Sequence, residues 1–274
     1  MGWVELFSDT WTLAAVLLIA GAFMGFIAGL LGVGGGAILV PVLYEVFRHV
    51  GVAEELCLHL SIGTALLVMV PTSIRSYHAH KKRGSIDSAI LRTLSIPVVI
   101  GVGCGIIAAK YLDPFAIKLV WVVCLTTLAL RMFFARDNWR LGNEVPLGIG
   151  MRLYGVFVGC VSTLMSIGGG AFTSSMMTLY GRSLLQAVGT SSGVGPLISI
   201  PGFLGFVWAG YGVSGLPFGS LGYVSLIGAA VVIPASVMTA PWGARVAHGI
   251  PKRRLELIFA SCLGLISLRF FLSL

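Results

Sequence analysis

The sequence predicts an all-α, polytopic integral membrane protein made of two inverted-topology repeats whose helices are interrupted by glycine. Four observations carry that reading. Hydrophobic residues make up 57% of the chain and charged residues only 10%, against about 25% charged in a soluble domain. The apolar residues gather into runs long enough to cross a bilayer, which takes roughly 20 residues per helix. Two runs are broken by knots of one type, Gly32-Val33-Gly34-Gly35-Gly36-Ala37 and Ser166-Ile167-Gly168-Gly169-Gly170-Ala171. Finally, the landmarks of the first half recur in order in the second, while the matching loops carry opposite charge bias.

Composition removes several classes. The net charge is +8, but the basic residues sit in short loops between apolar runs, as in cytoplasmic loops of membrane proteins, so no nucleic-acid partner is expected. No polar stretch is long enough for a soluble domain. Of the five cysteines, Cys57, Cys104, Cys124, Cys160 and Cys262, none forms a C-x-x-C pair. Neither a disulfide framework nor a zinc site is implied, and no cofactor is expected. Residues 1–10 carry Glu5 and Asp9 without a basic residue, so no cleaved signal is expected there.

The first apolar run covers about 11–31 and carries Gly21, Gly25 and Gly29 on one helical face, a spacing that lets membrane helices touch closely. After the knot comes a shorter run, about 37–47, with Pro41 in its first turn, where proline is tolerated. A polar loop at 48–59 precedes a run at about 60–77 that contains Gly63-Thr64 and Pro71. The cluster His78-Ala79-His80-Lys81-Lys82-Arg83 ends it. Spans follow at about 86–109 and 115–134. Residues 135–151 form the most polar stretch and read as a cytoplasmic linker. The repeats are then 1–134 and 152–274 within one membrane domain.

In the second half the knot recurs, Gly63-Thr64 matches Gly189-Thr190, Gly84-Ser85 matches Gly219-Ser220, and Pro114 matches Pro251. Leu130-Arg131 matches Leu268-Arg269. Loop 75–83 has four basic residues and its counterpart 208–217 has none; turn 110–118 has two lysines and an aspartate, whereas 245–254 has four basic residues and no acid. Basic loops face the cytoplasm, so the halves point in opposite directions, with 75–83, the linker and 245–254 inside. The two runs flanking a knot make either a re-entrant hairpin or two crossings; each half reverses the chain in both cases. Interrupted helices in inverted repeats are the architecture of secondary transporters.

The paired Gly-Gly-Gly knots, the Gly-Thr elements after them and the tandem halves resemble the sulfite exporter TauE/SafE family. That resemblance implies movement of sulfite, organosulfonates or related small sulfur-containing anions, mostly outward. Ser166, standing where Gly32 stands in the first knot, departs from the pattern and puts a hydroxyl beside the glycines.

The knots are either tight packing turns or the walls of one cavity. If helices restart after Gly36 and Gly170, their N-termini offer N–H donors and positive potential to an oxyanion, with Gly34, Gly35, Gly36, Gly168, Gly169 and Gly170 as backbone ligands. The hydroxyls of Thr64, Ser166, Thr190, Ser191 and Ser192 either add donors or bond their own helices. Arg75 either pairs with the anion or snorkels to the surface; Gln186 either packs or binds. His78 and His80 read as loop residues. No carboxylate lies clearly inside a span, and neither an H-E-x-x-H motif nor an evident Ser-His pair is present, so no enzyme is expected. The reading is a carrier of sulfite or an organosulfonate in the bacterial cytoplasmic (inner) membrane, exporting by alternating access. A passive anion channel of the same architecture is the alternative. Its partners are the small anion and membrane lipid.

Overall fold

The computed structural model describes residues 3–32, 35–134, 141–142, 144–146, 148–247 and 249–272. Among these the architecture is helical, with one isolated bridge, Ser220 to Ser225. The helices are α1 (Trp3–Leu31), α2 (Gly36–His49), α3 (Glu54–Lys81), α4 (Ser88–Tyr111), α5 (Pro114–Phe134), α6 (Ile149–Met165), α7 (Gly170–Leu179), α8 (Leu184–Ala209), α9 (Leu226–Ala247) and α10 (Lys252–Phe271). Six of them, α1, α3, α4, α5, α8 and α9, are long and apolar enough to cross a membrane. At 14 and 10 residues, α2 and α7 rise only about 21 and 15 Å, short of the ~30 Å hydrocarbon core. The chain doubles back at each knot: Leu13 of α1 lines one cavity with His49 of α2, and Gly150 of α6 lines another with Leu179 of α7. Residues 135–140, 143 and 147 of the expected linker lie outside the described residues, as does His248 of the loop 245–254.

Small residues set the packing. Gly21, Gly25 and Gly29 of α1 face Val232, Ser236 and Ala240 of α9, and Gly243 of α9 faces Phe26 of α1. On the other side Gly155 and Gly159 of α6 meet Pro97 and Val98 of α4, while Gly101 and Gly105 of α4 meet Val156 and Cys160 of α6. Besides these pairs, α3 lies on α8, α5 on α10, α3 on α9 and α8 on α4. Exchanging α1–α5 for α6–α10 maps α1–α9 onto α6–α4 and α3–α9 onto α8–α4, and leaves α3–α8 and α5–α10 each mapped onto itself. Helix α3 is the most buried span. Large apolar side chains such as Ile96, Ile107, Val123 and Met238 point outward from α4, α5 and α9, a surface suited to acyl chains and costly in water.

Helix ends follow local chemistry. Helix α3 begins six residues ahead of its apolar run because Glu54 and Glu55 occupy its first turn, and it continues to Lys81 with His78, His80 and Lys81 in its last; both sets complement the helix dipole. Asp87 caps α4 by accepting from the N–H of Ala89 and Ile90 at 3.1 and 3.2 Å.

Each Gly-Thr element docks the start of a helix in the other half. The Thr64 hydroxyl accepts from Ser225 N–H at 2.9 Å, just ahead of α9, and the Thr190 hydroxyl accepts from Asp87 N–H at 2.8 Å, just ahead of α4. A Cβ on Gly63 would overlap the Tyr223 carbonyl oxygen, and one on Gly189 that of Ser85. These contacts correct one sequence match: Gly84-Ser85 corresponds to Gly222-Tyr223, three residues beyond Gly219-Ser220. The α8–α9 connection is longer than its counterpart and carries several positive-φ glycines, Gly212, Gly215, Gly219 and Gly222, so spacing alone selects the wrong one.

The α1–α9 contact yields a test. A Cβ on Gly25 would overlap the Ser236 carbonyl oxygen, whereas one on Gly103 of α4 meets nothing within 4 Å. Gly25→Ala should lower the thermal midpoint of detergent-solubilised protein by several degrees. Gly103→Ala should hold or raise it, since alanine outranks glycine in a helix interior by about 0.5–1 kcal/mol. Equal effects would mean that α1 and α9 do not approach this closely.

Candidate functional site

The two knots match at the turn that ends one helix and at the turn that starts the next. Helix α1 ends at Leu31 and Gly32 turns left-handed at φ 65°; α2 restarts behind Gly35 at φ 71°, ψ −3°. Helix α6 ends at Met165 and Ser166 turns at φ 50°, ψ 34°; α7 restarts behind Gly169 at φ 68°, ψ −5°. Among the described residues Ser166 is the only non-glycine at positive φ, a conformation that costs an L-residue about 1–2 kcal/mol. The serine departs from the knot pattern but keeps the turn that glycine makes in the first copy. Gly34 lies outside the described residues.

The knots meet. A Cβ on Gly36 would overlap the Ser166 carbonyl oxygen and fall 2.8 Å from the Ser166 hydroxyl. Gly35, Gly36, Gly168, Gly169 and Gly170 are all buried. Helix α8 lies against both knots: Ser191 donates to Val188 O at 3.0 Å and approaches Gly32 O at 3.4 Å, while Val194 and Ile198 pack beside Gly169. No side chain caps the N-terminus of α2 or of α7. Two positive helix ends thus lie within the protein, beside a pair of contacting turns.

Buried hydroxyls collect around the second knot. Ser162 sits one turn ahead of Ser166 on α6. Thr173 lies in the first turn of α7, its N–H bonded to Gly169 O at 2.9 Å. Ser199 belongs to α8, the helix packed on both knots. All four are fully buried, and their hydroxyl oxygens have no hydrogen-bond partner. A buried polar group left unsatisfied costs about 1–3 kcal/mol, and such a concentration calls for an explanation in function.

The other residues singled out from sequence fall elsewhere. Thr64 and Thr190 hold the loops ahead of α9 and α4, and Thr64 also donates to Leu60 O at 2.6 Å. Ser192 donates to Gly189 O at 2.6 Å within its own helix. The Gln186 amide reaches Asp87 Oδ2 at 3.5 Å, beside the Arg182–Asp87 ion pair at 3.8 Å, and so belongs to the start of α4. Arg75 lines a surface cavity of about 320 Å³ with His78, Lys82, Arg83 and Arg245. That cavity joins the two basic clusters that the sequence places on one side of the membrane. His80 is not a loop residue: it is buried in the last turn of α3, and its Nε2 bonds Gly29 O at 3.0 Å, closing a carbonyl near the end of α1.

Sequence reasoning passed over Ser162, Thr173 and Ser199. Only the four-residue spacing of Ser162 and Ser166 signalled a shared helical face. Arg131 and Arg269 registered only as repeat landmarks, yet both reach short half-helices. Arg131 donates to Ser175 O on α7 at 2.5 Å, and Arg269 forms an ion pair with Glu45 on α2.

Helices of spanning length, an outward apolar face and paired broken helices define an integral membrane protein of the transporter class. The chain belongs to the sulfite exporter TauE/SafE family, whose profile matches residues 17–270. It is 30% identical over 262 residues to a probable membrane transporter protein of Haemophilus influenzae, covering 95% of this chain and 99% of the relative. A probable membrane transporter protein of Methanocaldococcus jannaschii is 26% identical over 257 residues, covering 93% and 94%. No solved structure matches the chain.

The contact between the knots can be checked at two residues. Ser166→Gly relieves the left-handed serine and removes a buried hydroxyl that lacks a partner, so thermal stability in detergent should hold or rise, by up to about 1–2 kcal/mol. Gly36→Ala must drive the knots apart and should lower it. A destabilised Ser166→Gly would show that the hydroxyl is satisfied in the folded protein.

Proposed function

We propose that this protein is a secondary transporter for a small sulfur-containing oxyanion, sulfite or an organosulfonate, bound between the two knots. One observation carries the reading: two helix N-termini without side-chain caps lie beside contacting turns, among buried hydroxyls that lack acceptors. An oxyanion complements that set, because N–H groups, hydroxyls and the positive helix ends all favour negative charge. Gly34, Gly35, Gly36, Gly168 and Gly170 serve as the backbone donors, with Ser166 beside them and Ser191 at the first knot, while the Gly169 N–H is taken by Ile167 O. Thr64, Thr190, Ser192 and Gln186 support the scaffold, and Arg75 belongs to the surface.

The exchange of α1–α9 for α6–α4 contacts supports two inverted repeats, 1–134 and 152–274, joined by the linker 135–151. In an inverted pair, two conformations that open the knots to opposite sides are related by the repeat. Burial of the knots on all sides favours a carrier that seals the site over a continuously open pore. The meeting of the α3 and α9 basic ends in one cavity supports placing that end in the cytoplasm. Export across a bacterial inner membrane is the corresponding direction, with lipid covering the outward apolar faces.

Purified protein in liposomes should carry saturable sulfite or methanesulfonate flux with counter-flow. Gly35→Leu and Gly169→Leu should abolish it, because a leucine at either left-handed position is strained and fills the contact. Flux that never saturates would favour a channel, and the absence of flux for both anions would overturn the reading.

A further inference from the structure

The last turns of α3 and α9 form a two-helix wall whose character changes from apolar to basic along its length. The helices run in the same direction. The Thr72 and Ser236 hydroxyls meet at 2.9 Å, and further along both chains Arg75, His78, Lys82 and Arg83 of α3 line one cavity with Pro241 and Arg245 of α9. The lining positions of α3 recur three and four apart and so share one helical face. Pro241 and Arg245 stand one turn apart on α9. Ile74 lies one turn before His78, and Met238 lies one turn before Pro241 and two before Arg245. Both are exposed, as is Trp242 beside Pro241.

The cavity concentrates charge of one sign. Arg75, Lys82, Arg83 and Arg245 are cations at neutral pH, and no carboxylate stands among the described residues of the lining. Arg83 donates to Ala79 O at 3.2 Å and His78 Nδ1 donates to Ile74 O at 2.7 Å, contacts that place side chains without neutralising them. Elsewhere Arg182 and Arg269 are set against Asp87 and Glu45. Like charges around one cavity repel, and an anion seated among them turns that repulsion into attraction.

The apolar approach selects the kind of anion. A free oxyanion gains nothing from Ile74, Met238 and Trp242. A phospholipid lays its acyl chains along them while its phosphate sits among the cations. Tryptophan favours the boundary between hydrocarbon and headgroups, and basic pockets between membrane helices take anionic headgroups. At about 320 Å³ the cavity has the size of an organic group.

We propose that the α3–α9 cavity binds the phosphodiester headgroup of an anionic phospholipid, with Arg75 and Arg245 as the main phosphate contacts, one from each helix. A lipid so held clips the end of α3 to the end of α9. The same stretch of α3 holds α1, because Ser76 and His80 meet the carbonyls of Ala28 and Gly29. The lipid thereby braces the helix that leads into the first knot, whatever solute the protein carries.

The test uses full-length protein stripped of lipid in detergent, with its thermal midpoint followed during titration. The probes are dioleoyl phosphatidylglycerol, phosphatidylcholine with the same chains, and inorganic phosphate. Phosphatidylglycerol should raise the midpoint by several degrees and saturate, whereas the other two should not at matched concentrations. Arg75→Gln and Arg245→Gln should each raise the half-maximal lipid concentration about fivefold, the worth of one basic residue at a membrane surface. Arg152→Gln removes an exposed charge from α6 outside the cavity and should leave it unchanged. Lys82→Gln is read instead if either cavity variant does not fold. The proposal is overturned by no rise with phosphatidylglycerol, by an equal rise with phosphatidylcholine or with phosphate, or by cavity variants that match wild type or Arg152→Gln.

Discussion

Breaking a helix inside hydrocarbon strands backbone N–H and C=O groups that water cannot reach, each costing several kcal/mol unless the protein covers it. This chain breaks two helices and lays the breaks against each other. Gly36 has no Cβ, so its backbone reaches the Ser166 carbonyl. The contact holds only if both hairpins are held firmly, and the small-residue faces of α1 on α9 and of α6 on α4 do that. Ser76 and His80 of α3 meet the carbonyls of Ala28 and Gly29 near the end of α1. The close-packed glycines, the buried α3 and the tied helix ends are thus consequences of placing two breaks at one point.

The chemistry of the breaks is one-sided. Helix N-termini present donors, and serine and threonine hydroxyls donate readily once an acceptor is near. At the knots this favours an anion over a cation or a neutral apolar solute. No full positive charge touches the knots in the described contacts. A site built from dipoles and hydroxyls holds an anion less firmly than an arginine fork would, which suits a carrier that must release its cargo.

Much of this was legible in the residues. Glycines spaced four apart face one neighbour, as their periodicity requires, and Gly35 and Gly169 of the two knots adopt the same left-handed turn. What stayed hidden depends on contacts between distant segments. The match of Gly84 to Gly222 needed the hydrogen bonds of Thr64 and Thr190, because the longer second connection shifts the count. The hydroxyls of Thr173 and Ser199 look ordinary until burial and missing partners are known together. Arg75 illustrates helical phase: Ser73 packs on Gly195 of α8, and two residues on, at 100° per residue, the side chain faces away from that contact. Proximity in sequence to the Gly-Thr element pointed to the core, whereas the helix turns the charge to the surface.

A twofold scaffold by itself favours neither direction, since conformations open to either side would be mirrored in energy and in affinity. Direction has to come from residues that break the match. One such departure lies at the knots. Ser166 replaces the glycine at Gly32 and adds a hydroxyl to one knot. It leaves the backbone that the repeat imposes undisturbed, because Ser166 adopts the turn of Gly32. In the proposed carrier, symmetric backbone and asymmetric side chains separate two tasks: the repeat would supply alternating access, and substitutions such as Ser166 would set the side on which the anion is more weakly held.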